Sequence, residues 1–208
     1  MFVKEQPPSR IVYSTPKFEG DRTNPSFTYV GADPIEPKQE VKKGGKKKKV
    51  FYSSGTVFWD QRQVESVLSL VDKYNIYLYL TRGLLLPNMK VPDNVEVFDF
   101  TDDKQILTEM DVMISQGGLG TVTNGIRAGV PMIVTPLFFA NQPQAKRVER
   151  YGNGKAVLGI DNQVQHLGEA LEEILDDPSY QQKASQLREE FAQLGGSKQA
   201  ANIIEQKI

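Results

Sequence analysis

The chain has 208 residues, of which 39% are hydrophobic and 25% charged, with a formal net charge of −1 and a mean hydropathy of −0.42. It has no cysteine and a single histidine, His166, so disulfides and thiol chemistry are excluded and a Cys/His zinc site is disfavoured. No apolar run approaches the roughly 20 residues that span a bilayer, no signal-peptide core follows Met1, and the balanced charge gives no global attraction to nucleic acid or an anionic membrane; as written, the chain reads as cytoplasmic, and membrane association would need segments outside these residues.

Residues 1 to about 50 are proline-rich, without helical period, and carry the run K-K-G-G-K-K-K-K (Lys42–Lys49). They read as an extended lead-in and a solvated, self-repelling linker, with two short strand-like pieces at Arg10–Ser14 and Phe27–Val30. From Lys49 onward strands and helices alternate. Val50–Gly55 is a β-rich run ending in a glycine turn. Val64, Val67, Leu68 and Val71 fall at i, i+3, i+4 and i+7, which predicts a helix running to Tyr74. Ile76–Leu80 and Val95–Phe100 read as strands, Lys104–Glu109 as a short helix and Val112–Ser115 as a strand. A glycine-rich turn leads into a helix over Leu119–Ala128. Pro131–Val134 is a strand, Gln142–Tyr151 a helix, Lys155–Leu158 a strand, and two or three helices finish the chain. The alternation implies right-handed βαβ units and an α/β, Rossmann-like three-layer fold with a parallel sheet of about six strands.

In such sheets ligands bind beyond the carboxyl ends of the strands, near the point where strand order reverses. Two glycine turns stand there, S-S-G-T (Ser53–Thr56) and S-Q-G-G-L-G-T (Ser115–Thr121). Glycine lets the backbone approach an anion closely, and the following helix aims free N–H groups and its positive dipole end at it. Thr121 adds a hydroxyl. A pyrophosphate suits such a site. The P-loop pattern is absent, G-x-G-x-x-G fails because Thr123 stands at its third glycine position, and no G-x-S-x-G occurs. A P-loop enzyme, a nicotinamide dehydrogenase and a serine hydrolase of that kind are therefore disfavoured.

The forty residues Ser115–Gly154 (S-Q-G-G-L-G-T…A-G-V-P…P-L-F-F-A-N-Q…K-R-V…G-N-G) resemble the donor-binding signature of family-one, UDP-glucosyltransferase-like glycosyltransferases. Weaker similarity reaches back to F-T-Y-V-G (Phe27–Gly31), which looks like the end of that family's acceptor domain, and to V-F-Y-S-S-G-T (Val50–Thr56), which looks like the opening of its donor domain. The resemblance implies one half of a GT-B fold. Residues 1–48 would be the acceptor-domain end and interdomain linker, and residues 49–208 the nucleotide-sugar domain. It also implies roles: Gly55 and Thr56 near the donor phosphates; Gln116, Gly117, Gly118, Gly120 and Thr121 around the pyrophosphate; the backbone at Val97 and Phe98 against the base; Asn141 and Gln142 on the sugar hydroxyls. Asn124 takes the place of an acid that often holds the ribose. UDP is the expected nucleotide, no metal is involved, and no catalytic residue is assigned, because the family's base comes from the acceptor domain.

Three residues depart from the family pattern: Gln116 stands for a His, Asn124 for the acid, and Asn141 for the Asp of an Asp-Gln pair. Each replaces an ionisable group by an amide. Two functions follow from this. One is the sugar-donor domain of an inverting transferase that needs an N-terminal acceptor domain or partner chain. The other is a non-catalytic nucleotide-sugar-binding or regulatory module. A GT-B epimerase is the weaker third, since no pair of catalytic acids is apparent. His166, in the amphipathic run Val164–Leu175, reads as a surface or boundary helix residue. Arg82 reads as a solvated turn residue with a phosphate contact as the alternative, Asp102 and Asp103 as helix-start acids, and Phe58 and Trp59 as core. Ala200, Ala201, Ile203, Ile204 and Ile208 give the last helix an apolar side that could drive self-association.

Overall fold

A computed structural model describes residues 10–21, 24–37, 47–53, 60–81, 90–98, 103–159 and 163–206. The main sheet has six parallel strands, β3 (Lys49–Ser53), β4 (Tyr77–Thr81), β5 (Val95–Phe98), β6 (Val112–Ser115), β7 (Met132–Val134) and β8 (Gly154–Ala156), in the order β5-β4-β3-β6-β7-β8. A smaller parallel pair joins β1 (Arg10–Val12) to β2 (Phe27–Tyr29), in register from Arg10 opposite Phe27 to Val12 opposite Tyr29.

Strand parity sorts the core into two faces. Val50, Tyr52, Leu78, Leu80, Val112, Ile114 and Ile133 point to the face covered by α1 (Gln61–Tyr74) and α5 (Gln163–Asp176). Phe51, Met113, Met132 and Val134 point to the other, covered by α3 (Leu119–Ala128), α4 (Gln142–Tyr151) and α6 (Ser179–Gln193). β6, in the middle, is buried along its whole length, as both-face coverage requires. A short α2 (Asp103–Leu107) precedes it and α7 (Gly196–Glu205) ends the described chain.

Most predicted elements are found within a residue or two. The helix expected from Val64 starts at Gln61, because Asp60 caps it: its carboxylate accepts from the Arg62 N–H at 2.8 Å. The same helix closes on Asn75 in the left-handed conformation, φ 49°. The last predicted strand begins one residue earlier and ends at Ala156. Gly55, Thr56, Phe58, Trp59, Arg82 and Asp102 lie outside the described residues.

Residues 10–21 and 24–37 form a strap docked on the main body. Phe18 is buried between Tyr151 and Phe191, with ring centroids at 6.2 and 6.0 Å. Glu19 pairs with Arg147 at 2.6 Å, and Arg150 donates to the Phe18 carbonyl at 2.5 Å. Gly31, at φ 63°, crosses α6 so closely that a Cβ would lie 1.9 Å from the Phe191 carbonyl oxygen, so only glycine fits. Ala32 N–H then bonds that same carbonyl, Gly196 N–H bonds Val30 O, and the Ser197 hydroxyl donates to Asp33 at 2.7 Å. Of the lysine run, Lys47, Lys48 and Lys49 are described: Lys47 donates to Asn94 at 2.8 Å, and Lys48 and Lys49 meet Asp111 and Glu109 in surface ion pairs that add little to stability. No described helix is long and apolar enough to cross a membrane.

Phe191 anchors both the strap and one core face, whereas Phe139 is 84% exposed. Phe191→Ala should lower the urea-unfolding free energy by about 3–5 kcal/mol, and Phe139→Ala should leave it within about 0.5 kcal/mol. A cost below about 1 kcal/mol for Phe191→Ala would contradict this packing.

Candidate functional site at the carboxyl edge of the sheet

Strand order reverses between β3 and β6: the chain leaves β3 toward β4 on one side and β6 toward β7 on the other. Their register is Val50 to Ser53 opposite Val112 to Ser115, so both strands end level. Parallel strands place every carboxyl end on this one edge, and the crevice at the reversal is where ligands bind in open α/β sheets.

After β6 comes the glycine turn. Gln116 is buried at 5% exposure. Gly117 has φ 79°, and its N–H donates to the Ser115 hydroxyl at 3.2 Å. A Cβ on Gly117 would meet Val134 Cγ1 at 2.6 Å and the Asn141 carbonyl oxygen at 3.4 Å. The Gly117 position thus faces Val134 and the Asn141 segment, with no room for a side chain. Gly118 is the N-cap of α3 and supplies no capping side chain. The first residues of the helix are open to solvent: Leu119 is 67% exposed, and nothing lies within 4 Å of a Cβ added to Gly120. Thr121 is half-buried, its hydroxyl 3.8 Å from a Cβ placed on Gly118. Among the described residues no side chain caps the start of α3 by a hydrogen bond, and its partial positive charge emerges at the reversal point.

The loop after β7 brings the second group. Phe139–Asn141 is a single 3-10 turn, and Asn141 is the N-cap residue of α4 with no side-chain cap bond. Asn141 and Gln142 are both half-buried. Phe138 and Phe139, beside them, are exposed. Val97 and Phe98 end β5, the outer strand, on the same edge. Val97 packs on the α1-side core, and the Phe98 ring stacks on Tyr79 with centroids 6.2 Å apart. Three strand spacings separate β5 from β6, roughly 14 Å. Asn124 lies one turn into α3, where its Oδ1 accepts from Arg127 at 3.4 Å, and Arg127 also donates to the Asp33 carbonyl of the strap at 2.5 Å. The structure thus brings Gly117, Gly118, Gly120, Thr121, Asn141 and Gln142 together, places Val97 and Phe98 across the edge, and ties Asn124 toward the strap.

Composition and period do not point to the residues underneath. Tyr52, Gln63 and Thr135 form a buried hydrogen-bonded set at the ends of β3, α1 and β7. Burial, and secondarily the Asp60 carboxylate, push the Tyr52 hydroxyl well above its usual value, so it remains a proton donor. His166 is exposed on α5, in a groove of about 330 Å³ with Lys155, Glu169 and Glu173, which none of the predicted site residues line. Glu173 there accepts from Tyr180 and pairs with Lys155 at 2.9 Å; the Tyr180 bond and then Lys155 hold its carboxyl below the usual range. Among the described residues no group of three or more His, Asp or Glu gathers as a metal site would require.

Residues 69–205 match the family described as erythromycin biosynthesis protein CIII-like, C-terminal domain. The chain is 26% identical over 190 residues to the oleandomycin glycosyltransferase of Streptomyces antibioticus, covering 88% of this chain and 44% of that protein. It is 26% identical over 159 residues to an uncharacterized UDP-glucosyltransferase, YojK, of Bacillus subtilis, covering 74% and 39%. The glycosyltransferase of kitacinnamycin shares the fold with a TM-score of 0.82 at 24% identity, over 97% of this chain and 55% of that one. The spinosyn rhamnosyltransferase SpnG, solved with thymidine diphosphate, does so at 0.73 and 17% identity, over 91% and 55%. The chain spans about half the length of the proteins it matches.

The glycines of the turn are not equivalent. Gly117→Ala forces a left-handed alanine into Val134 and should lower unfolding free energy by about 1–3 kcal/mol. Gly120→Ala, in open space inside the helix, should leave stability unchanged or raise it by up to about 1 kcal/mol. Paired urea titrations check the contrast, and equal costs would contradict the geometry of the turn.

Proposed function

The chain belongs to the erythromycin biosynthesis protein CIII-like C-terminal domain family, the sugar-donor half of GT-B glycosyltransferases, and on that premise we propose that its carboxyl edge receives a nucleotide sugar. The observation that carries this reading is the uncapped start of α3 at Gly118, open to solvent at the strand reversal. The diphosphate would lie on the N–H groups at the start of α3, with the Thr121 hydroxyl as a further hydrogen-bond donor. The sugar would extend to Asn141, which lies beside Gly117, and to the adjacent Gln142. The base would reach across the edge to the end of β5, against Val97 and Phe98, and Gly55 and Thr56 keep the phosphate role that the family resemblance implies. The thymidine diphosphate in the SpnG structure supports a nucleoside diphosphate as the ligand type. UDP is our first expectation and dTDP the second.

Transfer needs more than this half. The bond from the anomeric carbon to the diphosphate breaks as the acceptor oxygen attacks, the proton passes to a base, and the leaving diphosphate carries away the negative charge. The uncapped helix end stabilises that charge. The base and the acceptor site would come from an N-terminal domain or partner chain, which fits a chain half as long as its relatives. A second reading, binding or regulation without turnover, is favoured by the amides Gln116, Asn124 and Asn141 where the family pattern has ionisable groups. Self-association, if it occurs through α7, would engage Ile204, which is 52% exposed.

Calorimetric titration with UDP and with dTDP should show saturable one-to-one binding of at least one. Thr121→Val should weaken it about tenfold, the loss expected for one hydrogen bond to a charged group. Absence of binding by both nucleotides would sink the donor reading. Joining the chain to a candidate acceptor domain and assaying transfer then separates the two functions.

A further inference from the structure

We infer that Gln63 is a positioning residue for the donor edge, fixing through Thr135 the loop that follows β7 and its bond to the turn after β6; this rests on the donor-binding reading above. Gln63 sits in the first turn of α1 and is fully buried. Its neighbours on the helix stripe, Val67 and Leu70, are core residues, so an apolar side chain would suit the position by burial alone.

Instead the amide makes three bonds. Its Nε2 donates to the Thr135 carbonyl at 3.1 Å and the Thr135 hydroxyl at 3.0 Å, and its Oε1 accepts from the Tyr52 hydroxyl at 3.1 Å. Tyr52 is near the end of β3 and Thr135 directly follows β7. β6 lies between those strands, and the network joins it: Thr135 N–H bonds the Ser115 carbonyl at 2.8 Å, and the Ser115 hydroxyl accepts from Gly117 N–H at 3.2 Å. Thr135 also opens the loop that carries Asn141, whose backbone abuts Gly117. One buried side chain therefore links α1, which starts just after the first glycine loop, to the diphosphate turn and to the sugar-facing loop. Removing it leaves the Thr135 carbonyl and the Tyr52 hydroxyl without this partner in a dry setting, and such sites relax by moving backbone.

The test uses the 208-residue chain and three variants, Gln63→Leu, Thr135→Val and Tyr52→Phe. Tyr52→Phe is the control, because it removes a bond to Gln63 and leaves the Gln63–Thr135 pair in place. Affinity for UDP, or for dTDP where the parent prefers it, is measured well below each variant's unfolding temperature. Gln63→Leu should bind about tenfold more weakly and Thr135→Val about threefold, with Tyr52→Phe within about twofold. Amide hydrogen exchange at Gly117–Gly120 and Leu137–Gln142 should quicken about tenfold in Gln63→Leu and stay unchanged in Tyr52→Phe. Parent-like affinity and exchange in Gln63→Leu, or the same exchange response in Tyr52→Phe, would overturn the positioning role. If Gln63→Leu does not fold, Thr135→Val carries the test by the same two readouts. A parent chain that binds neither nucleotide overturns the donor reading, and the exchange comparison then decides the role of Gln63 by itself.

Discussion

Parallel pairing is the constraint on which the molecule is built. A parallel strand cannot return by a hairpin, so each connection must cross a face of the sheet, and right-handed crossovers allow only one way to do so. When the chain adds β4 and β5 on one side of β3 and then returns to place β6 on the other, it changes direction of winding once. That change opens the crevice, and parallelism puts every strand's carboxyl end beside it. The glycine turn after β6 and the Asn141 loop after β7 are neighbours for the same reason: β6 and β7 pair directly, Met113 opposite Met132 through Ser115 opposite Val134. The packing of Gly117 against Val134 and Asn141 fixes the final distance.

The edge is electrostatically spare. Gln116, Asn124, Asn141 and Gln142 carry no ionisable group, and the described turn adds none. The positive charge that the described turn presents comes from backbone dipoles, which need no protonation and do not titrate near neutral pH. A glycine N-cap serves this arrangement where Ser, Thr or Asp would oppose it, because a capping oxygen would consume the N–H groups a phosphate requires. The cost is a weakly stabilised helix start. It is offset inside the helix by Val122 and Ile126 in the core and at its far end by Gly129, left-handed at φ 67°.

The sheet was legible because its strands are short apolar runs bounded by turns, and its helices have clean stripes. Val112–Ser115, Leu119–Ala128 and Gln142–Tyr151 were read to the residue. The first helix was read three residues short, since its start depends on the Asp60 cap and not on the apolar period. At the site, the glycine turn and the Asn-Gln pair were visible as sequence, and their mutual contact was not, because it depends on strand order. The Tyr52–Gln63–Thr135 set left one faint trace: a polar residue at an apolar stripe position, four before Val67 and seven before Leu70. Periodicity alone marks that as a defect, and only the partner 72 residues away gives it meaning. The strap was hardest to read. Residues 10–37 have no period of their own, and their order comes from complementary surfaces on α4, α6 and α7.

That docking bears on how two halves of such a protein would act together. A flexible tether between domains would leave the crevice wall free to drift. Here the segment just before the lysine run is held at several separate points. Phe18 sits under Tyr151 and Phe191, Gly31 lies on the Phe191 carbonyl, and Asp33 is held by Ser197. Arg127 connects the strap to the site helix itself: its guanidinium meets the Asp33 carbonyl and Asn124, and its own carbonyl accepts the Ile35 N–H. Strap and α3 are therefore coupled through the last turn of the helix, with Arg127 reaching back to Asn124.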